Sequence, residues 1–110
     1  MASLNTDMLA ELKDIMEDDF AILVDTFVSD TDKRIDVFES SMDMADADVL
    51  RKAAHGLKGS SSNIGAERLS KLSADLEVAA KEMAFHIAID LIEDVKQEYH
   101  LVRAALLELK

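Results

Sequence analysis

The stretch AAHGLKGSSSNIGA, residues 53–66, contains His55 and all three glycines of the 110-residue chain. An imidazole can act as a nucleophile near neutral pH, because its unperturbed pKa is about 6.5. Lys58 follows His55 by three residues and Arg51 precedes it by four, so on a helix both cations lie beside the imidazole. This spacing favours an anion bound at or near the histidine.

A helical wheel at about 100° per residue places the histidine away from the core. The apolar arc contains Leu50, Ala53, Ala54, Leu57, Ser61 and Ile64. His55 lies about 140° from Leu50, with Lys58 and Ser62 on the same flank and Gly59 at about 180°. We therefore expect the His55 side chain to be exposed to solvent.

Gly56 and Gly59 lie in the interior of this helix, where each costs roughly 0.5–1 kcal/mol relative to alanine. On an exposed face, alanine, lysine or glutamate would be more stable than Gly59. A missing side chain beside an exposed histidine is expected where the backbone or a loop of another protein must approach closely. Gly56 lies nearer the flank of the helix and supports a weaker version of the same interpretation.

Composition restricts the possible partners of the chain. The formal net charge is −11, which argues against binding to nucleic acid or to an anionic membrane. Within this acidic chain, the segment 51–71 has five basic residues and one acidic residue. There is no cysteine, no apparent secretory signal and no long apolar run, so we expect a cytoplasmic protein with one domain over 1–110.

The absence of proline and the presence of only three glycines predict an all-α fold. Helices are predicted at about 5–16, 18–43, 46–63, 66–82 and 86–109. Short connections favour an antiparallel, up-down-up-down four-helix bundle, with the short first helix covering one end. Asn5 or Thr6 should cap the first helix and Asp46 or Asp48 the third, while Gly65 should end the third helix in a left-handed conformation.

Apolar residues at helical spacing predict the faces that pack in the core. In the second helix these residues are Phe20, Val24, Phe27, Ile35, Phe38 and Met42, with Thr31 and Arg34 as weaker members. In the fourth helix they are Leu69, Leu72, Leu76, Ala79 and Met83. In the last helix they are Ala88, Ile92, Val95, Tyr99, Val102, Leu106 and Leu109.

The segment AHGLKGSSSNIGAERL resembles the signature of the histidine-containing phosphotransfer (HPt) domains of bacterial and plant phosphorelays. The matching positions are His55, Leu57, Lys58, Gly59, Ser60, Ile64 and Gly65. The motif covers about a sixth of the chain, and the expected helices are compatible with the bundle of that family over nearly all the rest.

The resemblance implies that His55 accepts a phosphoryl group from an aspartyl phosphate on a receiver domain of a hybrid sensor histidine kinase. It then passes the group to the receiver domain of a response regulator, or returns it. Lys58 would steady the phosphoryl oxygens, and Glu77 is the candidate for orienting the imidazole. Gly59, Arg51 and Ser62 would contact the docked receiver domain. Ser60 and Ser61 are expected to cap the end of the helix.

The resemblance also implies a carrier rather than an enzyme, because the chain has no P-loop and no glycine-rich lid for ATP. The receiver domain would supply Mg²⁺, and we expect the chain itself to need no metal and no cofactor. A free-standing bacterial carrier that acts as a monomer is the expected form.

Two other functions remain open at this point. A di-iron bundle needs Glu-x-x-His motifs, which are absent at all three histidines; Glu82 and His86, four residues apart, form only a weak metal-site candidate. The second alternative is a helical protein–protein interaction module that is not phosphorylated. We expect His86 and His100 to be surface residues and Tyr99 to be a core residue.

Overall fold

The computed structural model describes residues 2–110, which form five α-helices. They are α1 (Thr6–Met16), α2 (Asp19–Asp43), α3 (Ala47–Asn63), α4 (Glu67–Lys81) and α5 (Phe85–Leu109). The predicted all-α class is confirmed, and the helix ends lie within about one residue of those expected from the sequence.

Helices α2 to α5 form a closed ring of neighbours. α2 packs against α3 and α5, and α4 packs against the same two helices from the opposite side. The connections 44–46, 64–66 and 82–84 are so short that consecutive helices must run antiparallel. The molecule measures 42 × 20 × 18 Å, and its long dimension is close to the ~37 Å expected for a 25-residue helix.

Helix α1 covers the end of the bundle where α3 ends and α4 begins. Leu9 is buried there, and the Asn5 backbone N–H donates to the Gly65 carbonyl at 2.8 Å. The Lys13 ammonium donates to the Leu109 carbonyl at 2.7 Å, satisfying one of the unpaired carbonyls at the end of α5. The first helix therefore occupies the place that the sequence predicts for it.

The predicted apolar faces meet in one core. Its fully buried large side chains are Phe20, Phe38, Leu9, Leu50, Leu57, Ile64, Leu69, Leu76, Leu106, Val24, Val95 and Val102. Each helix thus buries one face and leaves a polar face in solvent. Within residues 2–110, none of the helices has the length and apolar character needed to cross a membrane.

Two predicted core residues are exposed. Met83 is 65% exposed and has φ 57°, because α4 ends at Lys81 and the chain reverses direction before α5 begins. Leu109 is 36% exposed at the last residue of α5. The helical spacing is correct for both residues, but each lies at or beyond the end of its helix.

Two helix N-termini are capped as the sequence predicts. The Asn5 side chain accepts from the Met8 backbone N–H at 3.0 Å, and the Asp46 side chain accepts from that of Val49 at 3.1 Å. Such caps satisfy backbone donors that the helix itself cannot pair. Gly65 has φ +77°, the left-handed conformation expected for the residue that ends α3.

The prediction that Ser60 and Ser61 cap the end of α3 is wrong. The Ser60 hydroxyl donates to the Leu57 carbonyl, one turn back along the same helix, at 3.3 Å. Ser61 is fully buried, and its hydroxyl has no hydrogen-bond partner among residues 2–110. Both side chains are directed along or into the bundle and not toward the free carbonyls at the helix end.

Candidate functional site around His55

His55 lies in the middle of α3 with its side chain 65% exposed. Helix α3 is fixed in this rotation by Leu50, Ala54 and Leu57, which are all 0% exposed on the opposite side. The outward orientation therefore follows from the apolar arc, as the helical wheel predicts. It leaves the imidazole accessible to a macromolecular partner.

Glu77 of α4 joins the two functional candidates of α3. One carboxylate oxygen, Oε2, lies 2.8 Å from His55 Nδ1, and the other, Oε1, accepts a hydrogen bond from the Lys58 ammonium at 2.8 Å. A carboxylate at Nδ1 favours the neutral tautomer that carries its proton there, which leaves the lone pair of Nε2 free. The structure thus brings Glu77 to the position expected of an imidazole-orienting residue.

The Glu77 carboxylate is held in its ionised form. The hydrogen bond from Lys58 is the main cause that lowers its pKa below the ordinary glutamate value; partial burial opposes this, and the His55 hydrogen bond adds to the lowering. The side chain of Glu77 is only 20% exposed, so water competes little for its oxygens. At neutral pH it is therefore an acceptor toward both His55 and Lys58.

Lys58 is tied to α4 through its backbone as well as its ammonium. The Ser70 hydroxyl donates to the Lys58 carbonyl at 2.9 Å. The Lys58 side chain is 38% exposed, so its ammonium remains open to an anion arriving from solvent. No sequence motif marks Ser70, because a serine that bonds to the carbonyl of a neighbouring helix has no characteristic spacing.

The two glycines inside α3 have different surroundings. A Cβ at Gly59 would meet no heavy atom within 4 Å, so the surface one turn after His55 is empty. A Cβ at Gly56 would lie 2.9 Å from Nε of Arg34, which reaches across from α2. The expectation of an open surface at Gly56 is therefore wrong, because this chain itself fills the space.

Arg51 and Ser62 lie on α3 on either side of the central site. The Arg51 guanidinium donates to Asp48 at 2.9 Å, and Ser62 is exposed near the helix end. Hydrogen bonds from Arg51 and Lys52 hold the pKa of Asp48 below its ordinary value. Arg51 therefore has a carboxylate partner within its own helix, and a contact of Arg51 or Ser62 with a partner protein stays a prediction.

The remaining titratable candidates lie away from this site. His86 and His100 are exposed on α5, as predicted, and Glu82 is exposed after the end of α4. Tyr99 is buried, and its hydroxyl donates to Asp32 Oδ1 at 2.7 Å; burial and then Asp32 raise the pKa of the phenol. Among residues 2–110, no three histidine, aspartate or glutamate side chains cluster as a metal site.

An outward histidine with a carboxylate on Nδ1 and a lysine beside it, on a four-helix bundle, defines a protein of the histidine phosphotransfer class. Comparison with known proteins agrees with this. The model of the Hpt domain matches residues 22–105, and the chain belongs to this family. The predictions of family and fold are thereby confirmed.

Two relatives illustrate the similarity. "Histidine-containing phosphotransfer protein 1" of Arabidopsis thaliana is 32% identical over an alignment of 98 residues, and the match covers 86% of this chain and 64% of that protein. The chain thus spans less than two thirds of that relative. The crystal structure of histidine-containing phosphotransfer protein B (HptB) from Pseudomonas aeruginosa PAO1 superposes with a TM-score of 0.92 at 36% identity, covering 96% of this chain and 92% of that one.

Proposed function

We propose that this chain is a phosphorelay carrier whose phospho-acceptor is His55. It accepts the phosphoryl group of an aspartyl phosphate on a receiver domain of a hybrid sensor kinase and passes it to the receiver domain of a response regulator. The exposed imidazole, with Nδ1 held by Glu77 at 2.8 Å, is the observation that supports this proposal most strongly. Family membership favours this function over that of an unphosphorylated interaction module.

The transfer step uses the free lone pair of Nε2. This nitrogen attacks the phosphorus in line with the bond to the aspartate oxygen; the N–P bond forms while the P–O bond breaks, and the electron pair leaves on the aspartate carboxylate. The proton on Nδ1 stays in place, and the imidazole ring gains positive charge. The Glu77 carboxylate at Nδ1 stabilises that charge and holds the ring in orientation.

Lys58 supplies a second charge at the same place. Its ammonium, held by Glu77 at 2.8 Å, carries three donors, so it can bind a phosphoryl oxygen while it keeps its contact with the carboxylate. Because the Lys58 ammonium would then contact both Glu77 and the phosphoryl group, phosphorylation of His55 would affect the contact between α3 and α4. We therefore assign Lys58 to phosphoryl stabilisation.

The receiver domain must come close to α3 for in-line transfer. The empty surface at Gly59 provides room for the loops around its acidic pocket, and Arg51 and Ser62 extend the contact along the helix. The receiver domain would supply Mg²⁺ to neutralise charge on the phosphoryl oxygens. The present chain contributes the nucleophile, its orientation and one cation, which is the part of a carrier and not of a kinase.

Phosphotransfer from a labelled receiver domain tests the proposal. The wild-type chain should acquire a label that is labile in acid and stable in base, as expected of a phosphoimidazole, and His55→Gln should acquire none. His86→Gln and His100→Gln are matched controls, because both remove an exposed histidine from α5. Labelling of His55→Gln to the wild-type level would show that the assignment is wrong.

A further inference from the structure

The guanidinium of Arg34, which extends from α2, lies against α3 at Gly56. A Cβ at position 56 would lie 2.9 Å from Nε, 3.1 Å from Nη2 and 3.3 Å from Cζ of this arginine. The guanidinium therefore lies in the space that a side chain at position 56 would enter, although this flexible group could shift to admit one. A glycine in a helix interior is destabilising, and Gly56 leaves this space to the cation.

The seated guanidinium has no partner of opposite charge. Arg34 is half-buried, and across residues 2–110 no carboxylate forms a salt bridge or hydrogen bond with it. The chain has 23 acidic and 12 basic residues, so acceptors for such a pair are abundant. A partly desolvated arginine without a carboxylate is suited to bind one from another molecule, since its rigid fork of donors is already in place.

The position of Arg34 relative to His55 indicates what it contacts. Gly56 directly follows His55 and lies about 100° further round the helix, on the side that faces α2. Glu77 and Lys58 reach His55 from the α4 side. The open surface at His55 and Gly59 is therefore flanked by Lys58 on one side and by Arg34 on the other.

We propose that Arg34 is a recognition residue for the receiver domain: its guanidinium pairs with a carboxylate on the receiver surface that covers Gly59. This inference rests on the proposed function. Since Arg34 flanks the imidazole from the side opposite Lys58 and Glu77, it contributes to affinity for the partner and not to the transfer step. Receiver domains transfer phosphoryl groups through an acidic pocket, so a cation at the rim of the docking surface complements their charge.

Steady-state phosphotransfer tests the inference. The donor is the phosphorylated receiver domain that labels His55 most rapidly in the experiment described above. Arg34→Gln should raise the KM for this receiver about fivefold, leave the maximal transfer rate within about twofold, and weaken the dependence of KM on salt. Arg34→Lys should recover part of the loss. Lys33→Gln is the matched control, because it removes an exposed cation from the same helix.

Gly56→Ala provides a second, independent test. The added Cβ should push the flexible Arg34 guanidinium aside and raise KM, by less than Arg34→Gln does. In an Arg34→Gln background the same alanine should leave KM unchanged and raise the melting temperature, because the helix gains a better residue without losing the seated cation. Circular dichroism verifies that each variant is folded.

The outcomes separate this inference from the function on which it rests. A labelled wild type with an unchanged KM in Arg34→Gln overturns the recognition role and leaves the carrier function intact. A lowered maximal rate at unchanged KM, or KM increases for Gly56→Ala and Arg34→Gln that multiply in the double variant, overturns it as well. A wild-type chain that no phosphorylated receiver labels overturns both proposals.

Discussion

Helices α3 and α5 use their residues in contrasting ways. α5 has no glycine over 25 residues, and its buried apolar positions recur in steps of four and three from Ala88 to Leu106. α3 has 17 residues, two of them glycine, with a histidine and three cations among its outward positions. The apolar residues of α5 follow from packing. The exposed His55 and the Gly59 beside it in α3 have no such packing role.

The backbone conformations of the turns support the same distinction between packing residues and site residues. Glu17, Ala45 and Met83 have φ values of 53°, 51° and 57°, a region in which glycine is favoured over other residues. Only Gly65, at φ +77°, places a glycine where backbone conformation demands one. The other two glycines lie inside α3, where a helix is weakened by them. Two of the three glycines therefore lie near His55 in α3, and only one lies at a turn.

The largest difference between the two helices should appear in stability. Leu106→Ala in α5 removes a fully buried side chain and should lower the free energy of unfolding by about 2–5 kcal/mol. His55→Ala in α3 should change it by less than about 0.5 kcal/mol, since the imidazole is exposed, yet abolish phosphotransfer. Urea unfolding measures both effects. A His55→Ala loss as large as that of Leu106→Ala would mean that the histidine is structural.

Unlike His55→Ala, the variant Lys58→Ala should affect both phosphotransfer and, to a small extent, stability. Lys58→Ala removes a cation from the phosphoryl site and should slow transfer roughly tenfold to a hundredfold. The side chain is 38% exposed, so loss of its ion pair with Glu77 should lower the free energy of unfolding by no more than about 1 kcal/mol. Lys52→Ala is the control, because that exposed lysine pairs with Asp48 and not with Glu77. Equal transfer rates for the two variants would show that Lys58 has no role in phosphotransfer.

Much of this contrast was predictable from the sequence. The period of the apolar residues predicts both the bundle and the outward face of α3, because a helix in a bundle can turn only one side to the core. The orientation of His55 follows from that face. The place of Glu77 was predicted only through the family's offset, and its contacts with His55 and Lys58 depend on the rotation of α4.

The features that sequence analysis missed depend on contacts between helices. Arg34 was interpreted as a weak member of the core stripe of α2, and no spacing rule links it to Gly56 of α3. Met83 fits the stripe of α4 but lies past the helix end, since a turn without glycine or proline gives no signal in the sequence. Buried Ser61 was expected at a cap because its residue type is common there.

Substitutions of Gly59 test whether this glycine lowers the stability of α3 while leaving room for a receiver domain. Gly59→Ala should raise the free energy of unfolding by roughly 0.5–1 kcal/mol, because the added Cβ meets nothing within 4 Å. Gly59→Gln should also be stable but should raise the KM for a receiver domain, since its side chain fills the empty surface. Thermal unfolding and phosphotransfer kinetics measure the two effects. Normal docking by Gly59→Gln would show that no partner approaches there.

Glu77 should make a pH-dependent contribution to the contact of α3 with α4. Its pKa in the folded chain lies below the ordinary value of 4.5, mainly because of the hydrogen bond from Lys58. A lowered folded pKa stabilises the fold above about pH 4.5, and the contribution is lost as the pH falls through the folded pKa. Wild type should therefore exceed Glu77→Gln in stability at pH 6, and the two should converge in acid. A constant difference from pH 6 to acid would contradict the ion pair.

The smallest expected effect concerns the turn that precedes α5. Met83 has φ 57° and is 65% exposed, so Met83→Gly relieves an unfavourable backbone conformation and loses little packing. Glycine also makes the unfolded chain more flexible, and the net gain should be only about 0.5 kcal/mol. Glu82→Gly, at φ −85° in the same turn, is the matched control and should destabilise the chain, because only the flexibility remains. If both variants are destabilised, the positive φ at Met83 carries no measurable strain. The absence of glycine from the turns would then no longer distinguish them from α3.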